Sequence, residues 1–239
     1  MKIWTADCSS SGGRSCNEDT AGYMEIKGNY LAAVADGLGG HGGGKEASGL
    51  VVRSFFEKFR EQPEITEENL MRLMEEANGE VRKQQTESKK MKTTFVGFLC
   101  NGYCWACVHV GDSRLYWFQN GILKFRTLDH SVSQMAALAG EISDRGIRFH
   151  ADRNRVLRAL GGSELVRPDI FISGGQPENS AFLLCTDGFW ENVWEEEMAA
   201  DLVKSETPED WLSYMLARIG GRINQNCDNL SAVAVFIHT

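Results

Sequence analysis

Between residues 93 and 126 four apolar runs follow one another with almost nothing between them: TTFVGFLC, YCWACVHV, SRLYWF and ILKFRT. Asn101-Gly102 separates the first two and Asn120-Gly121 the last two. Asn-Gly between apolar runs is a strong hairpin signal. Consecutive hairpins commit the segment to antiparallel sheet, because parallel neighbours need a crossover of a dozen or more residues. Further strands are expected at 2–7 and 20–27, at the continuous apolar run 30–35 after a turn at Gly28-Asn29, and at 170–173, 181–185 and 231–237. A helix begins near Glu46, where Ala47, Val51, Phe55 and Phe59 repeat every four residues with Leu50 beside them. Thr66, with Asn69 and Leu70 behind it, announces a second, striped by Leu70, Leu73, Met74, Ala77 and Val81. Two more are expected near 195–204 and 208–220, the latter started by Thr207-Pro208 and carrying Trp211, Met215 and Ile219 on one face. Residues 131–160 read as an irregular, partly helical insert rich in arginine. Helices in pairs and strands in hairpin groups predict an α+β fold with antiparallel sheets and helices on the outside. With no repeat or linker in view, the 239 residues read as one domain, 1–239.

Charge narrows the function. A net charge of −8 offers no global field for nucleic acid or an anionic membrane, and neither is expected as a partner. An anionic substrate must therefore be drawn in by a local cationic feature. No apolar run approaches the ~20 residues that span a bilayer. The opening MKIWTADCSS has one lysine and no apolar stretch, so it does not read as a secretory signal. Seven cysteines at irregular spacing do not suggest a disulfide framework, and a reducing cytoplasm is the expected location.

Carboxylates recur beside glycine or at strand ends: Glu18-Asp19 in RSCNEDT, Asp36-Gly37, Asp112 in HVGDSRLY, Asp187-Gly188 in LLCTDGFW and Asp228 in CDNLSAVAV. A lone Asp-Gly is usually only a turn. A set of carboxylates at the rim of a sheet is different, because they cannot be cheaply buried unpaired. Hard oxygen donors of this kind suit Mg²⁺ or Mn²⁺ rather than zinc.

The ordered set RSCNED, DGLGGHGGGKEAS, MKTTFVG, HVGDSRLY, LDHS, NRVLRALGG, LLCTDGFW and DNLSAVAV, running from Arg14 to Val235, resembles the motifs of bacterial PP2C (PPM) protein phosphatases. The resemblance implies a sandwich of two antiparallel sheets flanked by helix pairs, with 131–160 as a flap beside the active site. It implies metal-dependent hydrolysis of phosphoserine and phosphothreonine in proteins by a hydroxide bridging two Mn²⁺ or Mg²⁺ ions, attacking in line, without a phosphoenzyme. Asp36 would bridge the ions, Asp187 and Asp228 would complete one ion's protein ligands, and Glu18 with the carbonyl of Gly37 would serve the other. Asp19 would orient the attacking water, and Arg14 would grip the phosphate with its planar fork. Asp112, with Asp187, matches the positions that hold a third ion in bacterial relatives. Phosphorylated proteins, a cognate kinase among them, are the implied partners. Two other readings stay open: a non-catalytic phosphoprotein-binding module of the same fold, and a phosphatase for small metabolites.

Several features are weighed against these. Cys100, Cys104, Cys107 and His109 read as strand residues rather than a zinc cluster. No cysteine is assigned to the Cys-x5-Arg loop of tyrosine phosphatases. The glycine loop after Asp36 lacks the Gly-Lys-Ser/Thr of a nucleotide cradle. Arg145, Arg148, Arg153, Arg155 and Arg158 form a basic patch, either a solvated face or an attractor of phosphorylated substrates. HADRN resembles the bacterial HPxRN with Ala151 for proline, and Lys92 replaces a glycine, so that loop is expected to differ in shape. Leu38 stands where many animal members carry a histidine, which leaves the proton donor unassigned. His41 is the nearest candidate and is read as a shaper of the loop, with water on the metal as the donor.

Overall fold

The structure, a computed structural model, describes residues 1–39, 43–223 and 227–238. Strands β1 (Lys2–Ser10), β2 (Thr20–Ile26), β3 (Asn29–Ala35) and the short β4 (Gly37–Leu38) come first. Helices α1 (Gly43–Glu61) and α2 (Glu67–Gln84) follow, then β5 (Lys92–Thr93), β6 (Phe95–Cys100), β7 (Cys104–Val110), β8 (Arg114–Gln119) and β9 (Ile122–Arg126). The insert holds α3 (Val132–Leu138) and a 3-10 helix, Asp144–Phe149. The chain ends with β10 (Asp169–Gly174), β11 (Ser180–Cys185), α4 (Asp187–Trp190), α5 (Glu195–Lys204), α6 (Pro208–Gly220) and β12 (Leu230–His238).

The strands form two five-stranded antiparallel sheets, ordered β1-β12-β11-β8-β9 and β10-β7-β6-β3-β2. Their facing surfaces bury Val34, Phe98 and Trp105 of one sheet against Phe182, Leu184 and Val233 of the other. Phe98 and Phe182 approach to 4.2 Å between ring centres. The outer faces are covered as well. Phe55, Leu73 and Met74 of α1 and α2 meet Leu31, Phe95 and Val108, and Met198, Trp211 and Met215 of α5 and α6 meet Phe118, Leu183 and Phe236. Central strands are thus buried on both faces, which is why 30–35 reads as an unbroken apolar run. Each fully buried large side chain contributes about 1.5–3 kcal/mol, so the four layers hold one another in place.

Local chemistry fixes the helix starts. Thr66 Oγ1 accepts the N–H of Asn69, and Thr207 and Asp210 cap each other's backbone reciprocally, as the sequence predicts. Two expectations need correction. The turn before β3 is Lys27-Gly28, not Gly28-Asn29: Ile26 pairs with Asn29, and Lys27 (φ 49°) and Gly28 (φ 79°) both take the left-handed conformation of a type I′ turn. Asn29 instead uses its amide to reach the Ile26, Lys27 and Pro63 carbonyls. The basic patch is a solvated face in four of its five arginines, whose side chains are 40–67% exposed beside carboxylates, and only the buried Arg148 departs from that reading. Arg145 pairs with Glu196, Arg153 with Glu191, Arg155 with Asp152 and Arg158 with Asp169, while Arg148 is buried on Glu195 and two main-chain carbonyls.

Candidate metal and phosphate site

Sheet register brings the carboxylates together. Ala35 at the end of β3 pairs with Thr20 at the start of β2, and Phe95 at the start of β6 pairs with Val110 at the end of β7. In the other sheet Cys185 at the end of β11 pairs with Ala232 near the start of β12 and with Arg114 at the start of β8. Glu18, Asp36, Asp112, Asp187 and Asp228 therefore emerge at one end of the sandwich. There a pocket of about 510 Å³ is lined by Arg14, Glu18, Asp36, Gly37, Asp112, Asp187 and Asp228. Asp19 lies outside this lining, buried, with its Oδ2 accepting from Thr186 Oγ1 at 3.0 Å.

Each side chain sits on a fixed piece of backbone. The Asp36 N–H donates to Thr94 Oγ1 at 2.9 Å, and its carbonyl accepts from Thr93 Oγ1 and the Thr94 N–H at 2.7 and 2.9 Å. The loop with Lys92 in place of glycine is thus an antiparallel ladder, Gly37 opposite Thr93 and Leu38 opposite Lys92, that grips Asp36 from both sides. A Cβ on Gly37 would lie 2.3 Å from the Gly44 carbonyl and 2.6 Å from that of Glu18, so only glycine fits. Thr94 continues to Ser113 through a 2.6 Å hydroxyl contact, and Trp190 Nε1 donates to the Asp112 carbonyl at 2.9 Å. Trp190 is itself packed under the buried Arg114 guanidinium, 3.4 Å from its ring centre. Arg114 forks onto Asp129 with two 2.7 Å bonds, so that its charge is buried paired.

Asn229 is a positioning residue that the sequence reading did not single out. Its Oδ1 accepts the Glu18 N–H at 2.8 Å, and its amide donates to the Ser11 and Cys16 carbonyls, tying down the loop that carries Arg14 and Glu18. The only signal was its place directly after Asp228. Arg14 donates from Nε and Nη2 to the two oxygens of Asp228 at 3.0 and 2.9 Å.

The carboxylates raise one another's pKa. Burial first, then Asp187, Asp19, Asp112 and Asp228, hold the Asp36 carboxyl well above the ordinary range. Burial and then Asp187 do the same to Asp112. Asp187 is pushed up to about 6 by burial and Asp228, and Asp19 to about 7 by burial, despite hydrogen bonds from Ser231 and Thr186. An all-oxygen, strongly anionic donor set with one arginine beside it fits hard divalent cations.

A second cluster lies elsewhere. One ligand-type atom each of His109, His130 and Asp169 come within 4.8 Å of one another. Hydrogen bonding argues against a metal there. The Gly111 N–H donates to His130 Nδ1 at 3.1 Å, which leaves Nε2 carrying the proton and facing Asp169 at 3.2 Å. The Arg158 guanidinium, 3.2 Å from the same nitrogen, adds a positive charge where an ion would sit. His109 is buried, with its pKa lowered to about 3 by burial and then by His130, and so is neutral. Cys100 and Cys107 are buried, free and part of the core between the sheets, which agrees with reading them as core residues.

The Cys-x5-Arg reading requires correction. That spacing does occur, between Cys8 and Arg14. Cys8, however, lies within β1 opposite Ala232, not at the mouth of a phosphate loop, and burial pushes its thiol up to about 12. A thiol, not a thiolate, is a poor nucleophile. His41 lies outside the described residues.

A model of the protein phosphatase 2C family matches residues 9–227. The chain is 35% identical over 202 residues to the serine/threonine phosphatase stp of Listeria monocytogenes serotype 4b (strain F2365), spanning 81% of this chain and 79% of that one. Among solved structures, the serine/threonine phosphatase Stp1 of Staphylococcus aureus is similar with a TM-score of 0.86 at 26% identity, over 100% of this chain and 96% of that one. The catalytic domain of the serine threonine protein phosphatase PstP, solved in complex with 2 manganese ions, gives 0.84 at 26% identity over 99% of each chain.

Proposed function

The chain belongs to the protein phosphatase 2C family, and on that premise we propose how its residues divide the work of a metal-dependent protein serine/threonine phosphatase. The observation that supports the division is a single pocket lined by Arg14 together with Glu18, Asp36, Gly37, Asp112, Asp187 and Asp228. Asp36 would hold divalent ions, Mn²⁺ or Mg²⁺, two of them sharing it. Asp187 and Asp228 would hold one of them, Glu18 and the Gly37 carbonyl the other, and Asp112 with Asp187 a third, weaker one. Bound there, the cations supply Lewis acidity and lower the pKa of water so that a nucleophile exists near neutral pH. Arg14 leaves Asp228 to fork onto the substrate phosphate, offering the same two donors to a second planar or tetrahedral anion. Asp19, anchored to Thr186, orients the attacking water. No side chain forms a covalent intermediate. We further propose that residues 1–239 act as one domain with 131–160 as a flap, that the enzyme works in the cytoplasm, and that a cognate kinase is among its substrates. No helix among the described residues is long and apolar enough to cross a membrane.

The test is phosphate release from phosphoserine, phosphothreonine and phosphotyrosine peptides of one sequence with Mn²⁺ present. Phosphoserine and phosphothreonine peptides are cleaved and the phosphotyrosine peptide is cleaved poorly. Hydrolysis confined to small phosphorylated metabolites would overturn the assignment to proteins.

Arg14→Lys separates phosphate binding from metal binding. Lysine keeps the charge but loses the fork. The KM for phosphopeptide rises about tenfold, the scale of one charge-assisted hydrogen bond at ~1.5 kcal/mol. Metal affinity by calorimetry does not fall, because Asp228 has lost a bidentate competitor. An unchanged KM places the phosphate elsewhere.

A further inference from the structure

The carboxylate pocket opens into a larger groove. A cleft of about 880 Å³ shares Leu38, Asn154 and Val156 with it, and continues between the 154–159 segment and the 162–167 loop. That volume lies within the ~300–1,000 Å³ of clefts that hold ligands. Four cations line it, Lys92, Arg155, Arg158 and Arg167, and among the described residues no carboxylate does. In a chain of net charge −8 this is a local reversal of sign. Arg158 is engaged by Asp169 at 3.1 Å, and Arg155 leans on Asp152 at 3.4 Å. Lys92 and Arg167 are exposed and make no ion pair among the described residues. Two leucines stand on the same walls largely in solvent, Leu157 at 56% and Leu165 at 73% exposure.

We infer that this groove seats the substrate polypeptide flanking the phosphorylated residue, and that it selects segments with acidic side chains interspersed with an apolar one. The inference rests on the protein phosphatase reading above. Continuity carries the first half. A phosphoserine reaching the carboxylate pocket must trail its own chain along a wall, and of the two described clefts that adjoin the pocket the 880 Å³ one has room for it: the other, about 260 Å³, shares Arg14, Asn154, Asp187 and Asp228 with the pocket, but it lies below the ~300 Å³ of ligand clefts and carries the carboxylate of Glu191. Complementarity carries the second. Unpaired Lys92 and Arg167 attract carboxylates, and exposed Leu157 and Leu165 gain from covering an apolar side chain. The ladder that sets Lys92 opposite Leu38 also holds Asp36, so the groove and the reaction centre share one rigid piece of backbone.

The Mn²⁺-loaded full chain is assayed on two phosphoserine peptides of equal length, one with Asp and Leu around the phosphoserine and the other with Lys in place of Asp. An aryl phosphate, which fills only the carboxylate pocket, serves as reference. Wild type favours the acidic peptide by about tenfold in kcat/KM at low salt, from two exposed charge contacts of up to ~1 kcal/mol each. At 1 M salt, where the screening length falls to about 3 Å, the preference collapses. Lys92→Glu with Arg167→Glu abolishes or inverts the preference through KM, and Arg167→Glu alone, which leaves the ladder that holds Asp36 untouched, lowers it by about threefold with the aryl phosphate rate unchanged. Lys2→Glu with Lys124→Glu on edge strands β1 and β9 makes the same change in net charge away from the groove and keeps the preference. Equal kcat/KM for both peptides in wild type, or a preference that survives the groove variant, overturns the inference while leaving the phosphatase reading intact. Hydrolysis of the aryl phosphate with neither peptide cleaved overturns the protein phosphatase reading, and this inference with it.

Discussion

Phosphate release from a phosphoserine peptide stops when the protein is held in excess EDTA, by at least about a thousandfold, and returns with Mn²⁺ or Mg²⁺ but not with Ca²⁺. The magnitude follows from what the pocket itself can offer. Its carboxylates are electron-rich, and among the described residues Arg14 is the one cation lining it, so these residues alone neither lower the pKa of water nor neutralise the charge on a pentacoordinate phosphorus. Divalent cations do both, and acidifying water from its bulk pKa of ~16 towards ~7 is far larger than any contribution from a single hydrogen bond. Calcium fails because its ~2.3–2.6 Å bonds spread the ligands and acidify water less than Mg²⁺ at ~2.0–2.1 Å. The competing chemistry is a cysteine nucleophile. Cys16 lines the pocket and Cys8 stands five residues away from being adjacent to Arg14, the spacing used by thiol phosphatases. A thiol mechanism ignores EDTA and is killed by Cys→Ser. Activity that survives the chelator and is lost in Cys16→Ser or Cys8→Ser would replace the metal mechanism altogether.

What could be read from the sequence, and what could not, divides along the range of the interactions. The Asn120-Gly121 hairpin was legible because both residues take positive φ, 51° and 75°, and Gln119 pairs with Ile122 as a two-residue loop requires. Lys27-Gly28 was missed by one residue because lysine is an uncommon first residue in the same turn, and the neighbouring Asn29 mimics the signal. The caps at Thr66 and Thr207 were legible because a side chain and a backbone N–H three residues away settle them locally. Pairing of β1 with β12 was not, since Lys2 meets His238 across nearly the whole chain and no local pattern names a partner. The same holds within the site. The chemistry of Asp36, Asp112, Asp187 and Asp228 shows in their type and their place at strand ends, and the resemblance supplied their roles. That Asn229 fastens the Glu18 loop, or that Arg14 pairs with Asp228, depends on contacts between residues more than 200 positions apart. The arginine run shows the opposite failure: its sign was legible, but the carboxylates beside Arg145, Arg153 and Arg158 came from α5, the end of α4 and β10, only Arg155 meeting a local one in Asp152, and the free cations of the groove lay at Lys92 and Arg167.

Asp36→Asn abolishes activity and at the same time stabilises the metal-free protein. Loss of activity follows from its position: a neutral amide cannot hold two cations, so the variant loses at least about a thousandfold, more than Asp187→Asn or Asp228→Asn at about a hundredfold each, the scale of one main electrostatic element. The gain in stability follows from the carboxylate cluster. Burial and the charges of Asp187, Asp19, Asp112 and Asp228 hold the Asp36 pKa well above its unfolded value. A raised carboxylate pKa means that the unfolded chain gives up its proton more readily, so ionisation destabilises the fold. The penalty is fully present above the folded pKa and fades as pH falls towards the unfolded value near 4. Asn at position 36 removes it without disturbing Thr93 and Thr94, which bond only to the main chain of residue 36. Each kcal/mol of repulsion removed raises the melting temperature by about 2–4 °C for a chain of this size. In EDTA the variant therefore melts above wild type at pH 8, and the two converge below about pH 4. Saturating Mn²⁺ reverses the order, because only wild type gains the binding free energy, about 2.7 kcal/mol for one site at a hundred times its Kd. Melting curves at two pH values, with EDTA and with Mn²⁺, decide the matter. Wild-type turnover in Asp36→Asn, or a variant less stable than wild type in EDTA at pH 8, would show that Asp36 is a structural turn residue and not the shared ligand of the site.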